Sequence, residues 1–487
     1  MPTFFKAQAV SIRRALGAAV TLTVCLCLQI GPSQAGESLD QALASAYSTN
    51  PRIMSGRARL RSVDESLARA QSGYRPTING EIDYTLRNNE TVPSSPGDGT
   101  TLSRTYSLSA SQPIYSGGQT RHAVSEADAN IRAEREVLRD TEQTVLLDAI
   151  TAYVDVVRDR ATLVVQQKNV AVLTQELKQV KARFDVGEVT KTDVEQARAS
   201  LAGAQSTFEG AKANLHASEG RFVLTIGHPP VGLREPVAPL RSLPGNLDEV
   251  IANAIAARPS VVQAAYLEKA SQHTIRKLTG QLLPQLSLSA LLSATEDPTP
   301  LTEETRTASL TGKVSLPIYE AGDVRAQIRQ QKENRQALLE NVEQAREQAQ
   351  SDATSAWAQL QASRAQLLAN QTQVDAAKTA LEGVRAELQV GQRTEIDVLN
   401  SQQTLNNAQV TLIGTKRDII VNSYRVLQTM GRLTVDTLNV PVRQYDTTAH
   451  YNETNGKWWQ ITITREPGYA GIDGGLGAVV SDQFHQK

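Results

Sequence analysis

Apolar residues along the chain follow two alternating rhythms, and the pair of rhythms is written out twice. Leu138, Val145, Ala152, Val156, Leu163, Val170, Leu173, Leu177, Val180 and Phe184 recur at intervals of 7, 4 or 3, the period of a coiled-coil seam. From Val156 onward each has an apolar counterpart 204 residues later: Leu360, Leu367, Val374, Ala377, Leu381, Val384 and Leu388. Gly118 to Val186 and Gly322 to Val390 contain no proline, so each can run as one helix of roughly 100 Å at 1.5 Å per residue.

The second rhythm has period two. Ile78, Ile82, Tyr84 and Leu86 alternate with Thr77, Asn79, Glu81, Asp83 and Thr85, and Leu102, Tyr106, Leu108 and Ala110 alternate with Ser103, Thr105, Ser107, Ser109 and Ser111. These predict strands at about 77–86 and 102–112, each with one apolar and one polar face. Leu286, Leu288, Ala290 and Leu292 repeat the design at about 285–293, and Leu310, Val314 and Leu316 at about 307–316. Pro51 and Pro259, like Pro76 and Pro284, are 208 residues apart, whereas Pro113 and Pro317, Gly187 and Gly391, and Gly227 and Gly431 are 204 apart. The loop between the first two strands is therefore four residues longer than its counterpart. The expected organisation is a first repeat over 36–245, a second over 246–435 and a tail over 436–487, the tail reading as irregular.

Four strands are too few to close a barrel, which needs about eight before side chains can fill it, and an open amphipathic sheet leaves unpaired edges. The polar faces carry Ser, Thr and Asn, as suits a water-filled lumen, and the apolar faces suit lipid. Closure by several copies resolves the edges, and three copies would supply twelve strands. Two amphipathic hairpins packed on a soluble helical core would be the alternative. Pro113 and Pro317, at the change from strand to helix, are expected to fix the chain there, because proline lacks the N–H that a helix uses.

At the far end of each long helix stands a turn: Phe184 to Val194 reads FDVGEVTKTDV, and Leu388 to Val398 reads LQVGQRTEIDV. The tips are expected at 186–193 and 390–397. Gly187 and Gly391 suit the left-handed position where a helix stops. Thr190 with Asp193, and Thr394 with Asp397, fit capping boxes for the helices that follow.

Composition narrows the picture further. Only 4% of residues are aromatic, too little bulky material for one large globular core, and long helices are its natural use. The formal net charge of −1 gives no reason to expect a nucleic-acid partner. Residues 1–35 read as a secretory signal, with Lys6, Arg13 and Arg14 before the apolar stretch Leu16 to Ile30 and a small-x-small site ending at Ala35. Removing these three cations with the signal takes the net charge from −1 to −4. Both cysteines, Cys25 and Cys27, lie inside it. Acylation of Cys25 is the other reading, against which Val24 is not small. The six histidines (His122, His216, His228, His273, His450, His485) have no ligand spacing. With no phosphate loop or nucleophile elbow, neither an enzyme nor a cofactor is expected.

The tandem repeat, the paired strand hairpins, the seams QPIYSGG (Gln112 to Gly118) and LPIYEAG (Leu316 to Gly322) and the tips VGEVTKTDV and VGQRTEIDVL together resemble the TolC family of outer-membrane channels over roughly residues 37–435. The tail QYDTTAHYNETNGKWW, Gln444 to Trp459, is similar to that of the family's type I secretion branch. The resemblance implies a mainly α chain with a membrane β-barrel portion: a homotrimer with a twelve-stranded barrel in outer-membrane lipid, continued by a twelve-helix periplasmic tunnel. It also implies passive export, of drugs or of secreted protein, with a periplasmic adaptor and an inner-membrane efflux pump or ABC transporter as partners. An envelope-tethered coiled-coil protein or adhesin is the alternative. By motif, Arg393 on the second tip would link to Asp193 and Thr192 on the first and close the tunnel. Asp397 matches an acidic position at the narrowest part, Asn400 stands where a second acid would be, and Leu388 stands where some members have Tyr. Val186, Gly187, Thr190, Val390, Gly391 and Thr394 would form the tips that meet the adaptor. Arg393 has no counterpart in the first tip, where Val189 stands, so capping alone does not require it.

Overall fold

The computed structural model describes residues 36–96, 98–240, 243–299, 301–455, 457–458 and 461. The expected signal, both cysteines and most of the tail beyond Trp458 lie outside them. Two helices dominate, α3 (Gln119–Asp185) and α7 (Asp323–Gln389), each of 67 residues. Neither is interrupted, because neither contains proline and the Ala, Leu, Gln and Glu that fill them are good helix formers. Each reaches a tip and turns back into a shorter helix, α4 (Lys191–Ile226) or α8 (Glu395–Thr429).

The returning helices cover only the tip halves of the rods. Toward the other end α3 packs on α2 (Pro51–Gln71) and α6 (Pro259–Gly280), and α6 also packs on α7. Pro51 and Pro259 each stand in the first turn of their helix, where the missing N–H has no helical partner to lose. The main core lies mid-rod, where short helices meet end to end. There α1 (Leu39–Thr49) and α5 (Leu247–Ala257) lie alongside, and Leu43, Tyr47, Ile150, Tyr153, Phe222, Ile226, Leu360 and Leu427 are buried together. The Tyr153 hydroxyl reaches the carbonyl oxygens of Glu37 and Arg234, at 2.7 and 2.8 Å, tying the start of the described chain to the crossover after α4.

At the opposite end from the tips is one antiparallel sheet in the order β1 (Thr77–Asn89), β2 (Gly99–Ser116), β3 (Gln285–Thr299), β4 (Thr302–Ser315). The register puts Ile78, Ala110, Ala290 and Leu310 in one row and Ser107, Ser293 and Thr307 in a row of the other face. Thr105 and Thr295 hydroxyls pair across strands at 3.1 Å on the polar side. The strands outrun the alternation of their side chains, because ladder bonding is a property of the backbone and carries Asn88 and Asn89 as readily as Leu86. Strands β1 and β4 are the edges, and both are exposed throughout.

Two expectations are corrected. Pro113 does not mark the change from strand to helix: β2 continues past it to Ser116, with a bulge between Pro113 and Tyr115. The bulge shifts the alternation by one residue, so that Tyr115 comes opposite Leu286 on the apolar face. The switch itself is made by Gly117 and Gly118, with φ of +63° and +78°. In the second half Pro317 does follow the end of β4, and Gly322, at φ +82°, precedes α7. Nor is the described part of the tail irregular throughout or undocked. Val440 enters the core beside Leu433 and Val435 at the end of the second repeat, and α9 (Ala449–Thr454) docks on α2. There the His450 Nδ1 lies 3.2 Å from the buried Asp64 carboxylate, and Gln71 donates to Asn455 at 2.7 Å.

Gly117 and Gly187 share a left-handed backbone, which costs a residue with a Cβ roughly 1–3 kcal/mol. They differ in room. A Cβ at Gly187 would meet nothing within 4 Å, whereas at Gly117 it would lie 2.1 Å from the Gly280 carbonyl oxygen. Gly117→Ala should therefore lower the midpoint of thermal unfolding by several degrees more than Gly187→Ala; equal falls would show that the approach of α6 to this turn is not limiting.

Candidate tunnel entrance at the hairpin tips

Each tip is built by the same local chemistry. The N–H of Glu188 reaches back to the Arg183 carbonyl and that of Gln392 to the Glu387 carbonyl, both at 2.9 Å, around Gly187 (φ +83°) and Gly391 (φ +78°). These six-to-one bonds satisfy carbonyls at the helix end. In the first tip the Thr190 N–H donates to Asp193 Oδ2 at 2.8 Å while the Asp193 N–H donates to Thr190 Oγ1 at 3.3 Å. In the second, Thr394 donates to Asp397 Oδ2 from its N–H and its hydroxyl, at 3.0 and 2.8 Å. Bonds from the Thr190 hydroxyl and N–H hold the Asp193 carboxyl below the usual carboxylate range, and bonds from the Thr394 N–H and hydroxyl do the same for Asp397. Both acids are thus ionised capping groups.

Within one chain Arg393 does not reach Asp193 or Thr192. Its Nε bonds Glu387 Oε2 at 2.8 Å, across its own turn, and its side chain is half exposed. Thr192 is exposed, and Leu388 packs on the apolar cluster of Leu381, Val398 and Leu405. Val186 and Val390 project into solvent at about 70% exposure each, together with Gly187, Thr394 and Gly391. Such apolar residues at a protruding turn are open to a partner.

Sequence reading missed how the two hairpins hold each other. Helix α8 has two faces of period seven. Val398 and Leu405 face α7 in a dry seam with Leu381. Glu395, Leu399, Gln402 and Asn406 face α3, and apart from Leu399, which joins Leu173, Leu177 and Val180, this seam is polar. Arg183 NH1 donates to Glu395 Oε2 at 3.2 Å, Gln402 Nε2 to Asn169 Oδ1 at 3.2 Å, and Asn406 Nδ2 to Gln166 Oε1 at 3.4 Å. Glu395, Gln402, Asn406, Gln166 and Asn169 are all buried. The 4, 3, 4 spacing of residues 395, 399, 402 and 406 is the sequence signal that could have shown it.

The family model described as "Outer membrane efflux protein" matches residues 42–228 and 250–432. The chain belongs to this family. It is 35% identical to the outer membrane efflux protein BepC of Brucella suis biovar 1 (strain 1330) over 433 residues, 88% of this chain and 93% of that protein. To the outer membrane protein TolC of Escherichia coli (strain K12) it is 26% identical over 412 residues, 82% of this chain and 83% of that one. Among solved structures, the outer membrane protein VceC of Vibrio cholerae superposes with a TM-score of 0.70 at 17% identity, covering 81% of this chain and 96% of VceC. Likeness at that identity speaks for the fold alone. Family membership makes the chain a passive outer-membrane efflux channel rather than an enzyme, its helices reaching into the periplasm. No helix among the described residues is long and apolar enough to cross a membrane.

The polar seam gives a direct test. Gln402→Leu leaves the buried Asn169 amide without its partner and should destabilise the tip region by about 1–3 kcal/mol. Adding Asn169→Leu should recover a good part of the loss in a double-mutant cycle read by denaturant unfolding, and strictly additive losses would refute the pairing.

Proposed function

We propose that three copies of this chain close into the exit duct of a tripartite export system, opened from the periplasmic side. The observation that carries the reading is the sheet: four strands, exposed edges at β1 and β4, and a covalent run from β2 and β4 into rods of 67 residues. Unpaired edge N–H and C=O groups cannot remain in a bilayer without water, so β4 of one copy would pair with β1 of the next, and twelve strands would enclose a lumen. The Ser and Thr rows then face water and the Leu, Ile and Tyr rows face lipid. The same rotation brings helix pairs side by side into a twelve-helix tunnel. Helix α7 supports this arrangement: Val374, Ala377, Val384 and Leu388 stay only partly covered in the single chain.

The tips would be the closed end. Arg393, held by Glu387 in its own turn, lies at the outer end of the second hairpin, where a neighbouring copy would offer Asp193 and Thr192. A link made there, between copies, would be the bond that closes the tunnel, and Asp397 would add negative charge beside it. A periplasmic adaptor would engage Val186, Gly187, Thr190, Val390, Gly391 and Thr394, and an inner-membrane pump or ABC transporter would supply the energy. A lumen of small polar groups discriminates little, so the choice between small molecules and secreted polypeptide falls to that transporter. The tripartite partnership and the cargo classes come from the family likeness.

Purified protein should run as a trimer and conduct ions in planar bilayers, with Arg393→Ala raising conductance several-fold at neutral pH. A monomer without conductance would sink the duct, and unchanged conductance in the variant would leave Arg393 a solvated charge.

A further inference from the structure

Among the charges in which the two tips differ, one stands directly after the capping threonines. After its capping Thr190 the first has Lys191, which is exposed, while after Thr394 the second has Glu395, whose side chain is only 5% exposed. A lone carboxylate is costly to bury, and this one lies in the polar seam between hairpins rather than in solvent. Among the described residues its ion-pair partner is Arg183 of α3, and Arg183 is shared, its Nε binding Glu188 at 3.3 Å while its NH1 binds Glu395 at 3.2 Å. Two turns up the same helix, Glu176 approaches closely enough for a carboxyl–carboxyl hydrogen bond with Glu395.

Such a bond needs one proton between two acids. The other charges near this point do not relieve the need. Asp193 of α4 adds a further negative charge, Arg393 is held by Glu387 of α7, and Asp397 is tied to Thr394. Burial first, then the hydrogen bond and the charge of Glu176, push the Glu395 carboxyl up to about 7.

We propose that Glu395, Glu176 and Arg183 form a proton-dependent clasp between the two hairpins, holding them together while the Glu395–Glu176 pair carries a proton and loosening when both are ionised. Two ionised carboxylates sharing part of one guanidinium repel at a point where water is largely excluded. The clasp lies where the duplicated hairpins meet, and near the tip α8 meets α3 through no apolar side chain except Leu399, so the repulsion acts on a mainly polar seam. As a device that regulates opening, it rests on the reading of these tips as a tunnel entrance.

The sign follows from linkage. The docked pair binds its proton more tightly than a hydrated glutamate does, so docking is favoured below the ordinary value of 4.5 and that advantage is lost as pH rises toward about 7. Above about 7 no further change is expected from this group.

The test uses two measurements on the trimer in detergent or bilayers. With Lys191→Cys and Gln392→Cys spin-labelled, the distance between the tips of one chain should lengthen or broaden from pH 5 to pH 7 and then hold, while conductance rises several-fold over the same range. Glu395→Gln, which keeps the shape and cannot ionise, should hold the pH 5 distance and conductance throughout. Glu176→Gln should move the transition to lower pH. A Glu395→Gln protein whose label distances follow the same pH profile as the parent, or parent distances that do not respond to pH, would overturn the clasp. Distances that respond while conductance does not would uphold the clasp and refute the entrance reading instead.

Discussion

The constraint on which the structure depends is a mismatch of lengths. Two helices of 67 residues have to be covered, and their companions have 36, 35, 22 and 21. No single partner can sheathe a rod, so every rod is covered in two instalments, with a joint between them. That joint is where helix ends and their unpaired backbone groups accumulate, and it is where the chain spends its large side chains. Tyr47, Tyr153 and Phe222 are buried there, and the 433–442 segment is folded in as well. Away from the joint the buried side chains are smaller and aliphatic, as where Leu173, Leu177 and Val180 of α3 meet Ala197 and Ala204 of α4.

The two repeats are alike in sequence period and unlike in cover. Helix α3 buries residues along its whole length, and α7 buries only Val342, Ala349, Ala353, Ala356, Leu360, Ser363 and Leu381. A duplicated seam with its apolar positions kept, but one copy covered much less than the other, is difficult to understand in an isolated chain. It is what remains when the cover for α7 belongs to another copy. The same reasoning applies to β1 and β4, so the two ends of the molecule ask independently for the same neighbours.

How much of this was legible in the sequence depends on the range of the interaction that carries it. Rods, tips and strands rest on local periodicity and capping, and Gly187, Thr190 and Asp193 state their structure within ten residues. The Pro113 bulge was not legible because a bulge is fixed by what lies across the sheet, here Leu286 and Ser287, and proline is equally at home at a strand end or in a bulge. The docked tail escaped because its partners, Asp64, Gln71 and Asp128, are more than 300 residues away in the chain. Arg393 stands out because the first tip has no such residue, while Glu395, two residues on, is in sequence indistinguishable from an ordinary first-turn acid at a helix start. Only packing against α3 distinguishes a solvated acid from a buried one.

That distinction bears on how a hairpin can move without coming apart. Dry contacts lose contact energy as soon as they separate, and Val398 and Leu405 bind α8 to α7 in that way, so the hairpin should behave as one body. Near the tip the seam from α8 to α3 is, apart from Leu399, made of groups that water can replace: carboxylate, guanidinium and amide. Sliding or tilting there exchanges protein hydrogen bonds for water bonds at modest net change, since an intramolecular hydrogen bond contributes only about 0.5–1.5 kcal/mol over its hydrated parts. A helix with a dry face and a wet face of the same period therefore fixes which of its two neighbours it stays with and which it can leave.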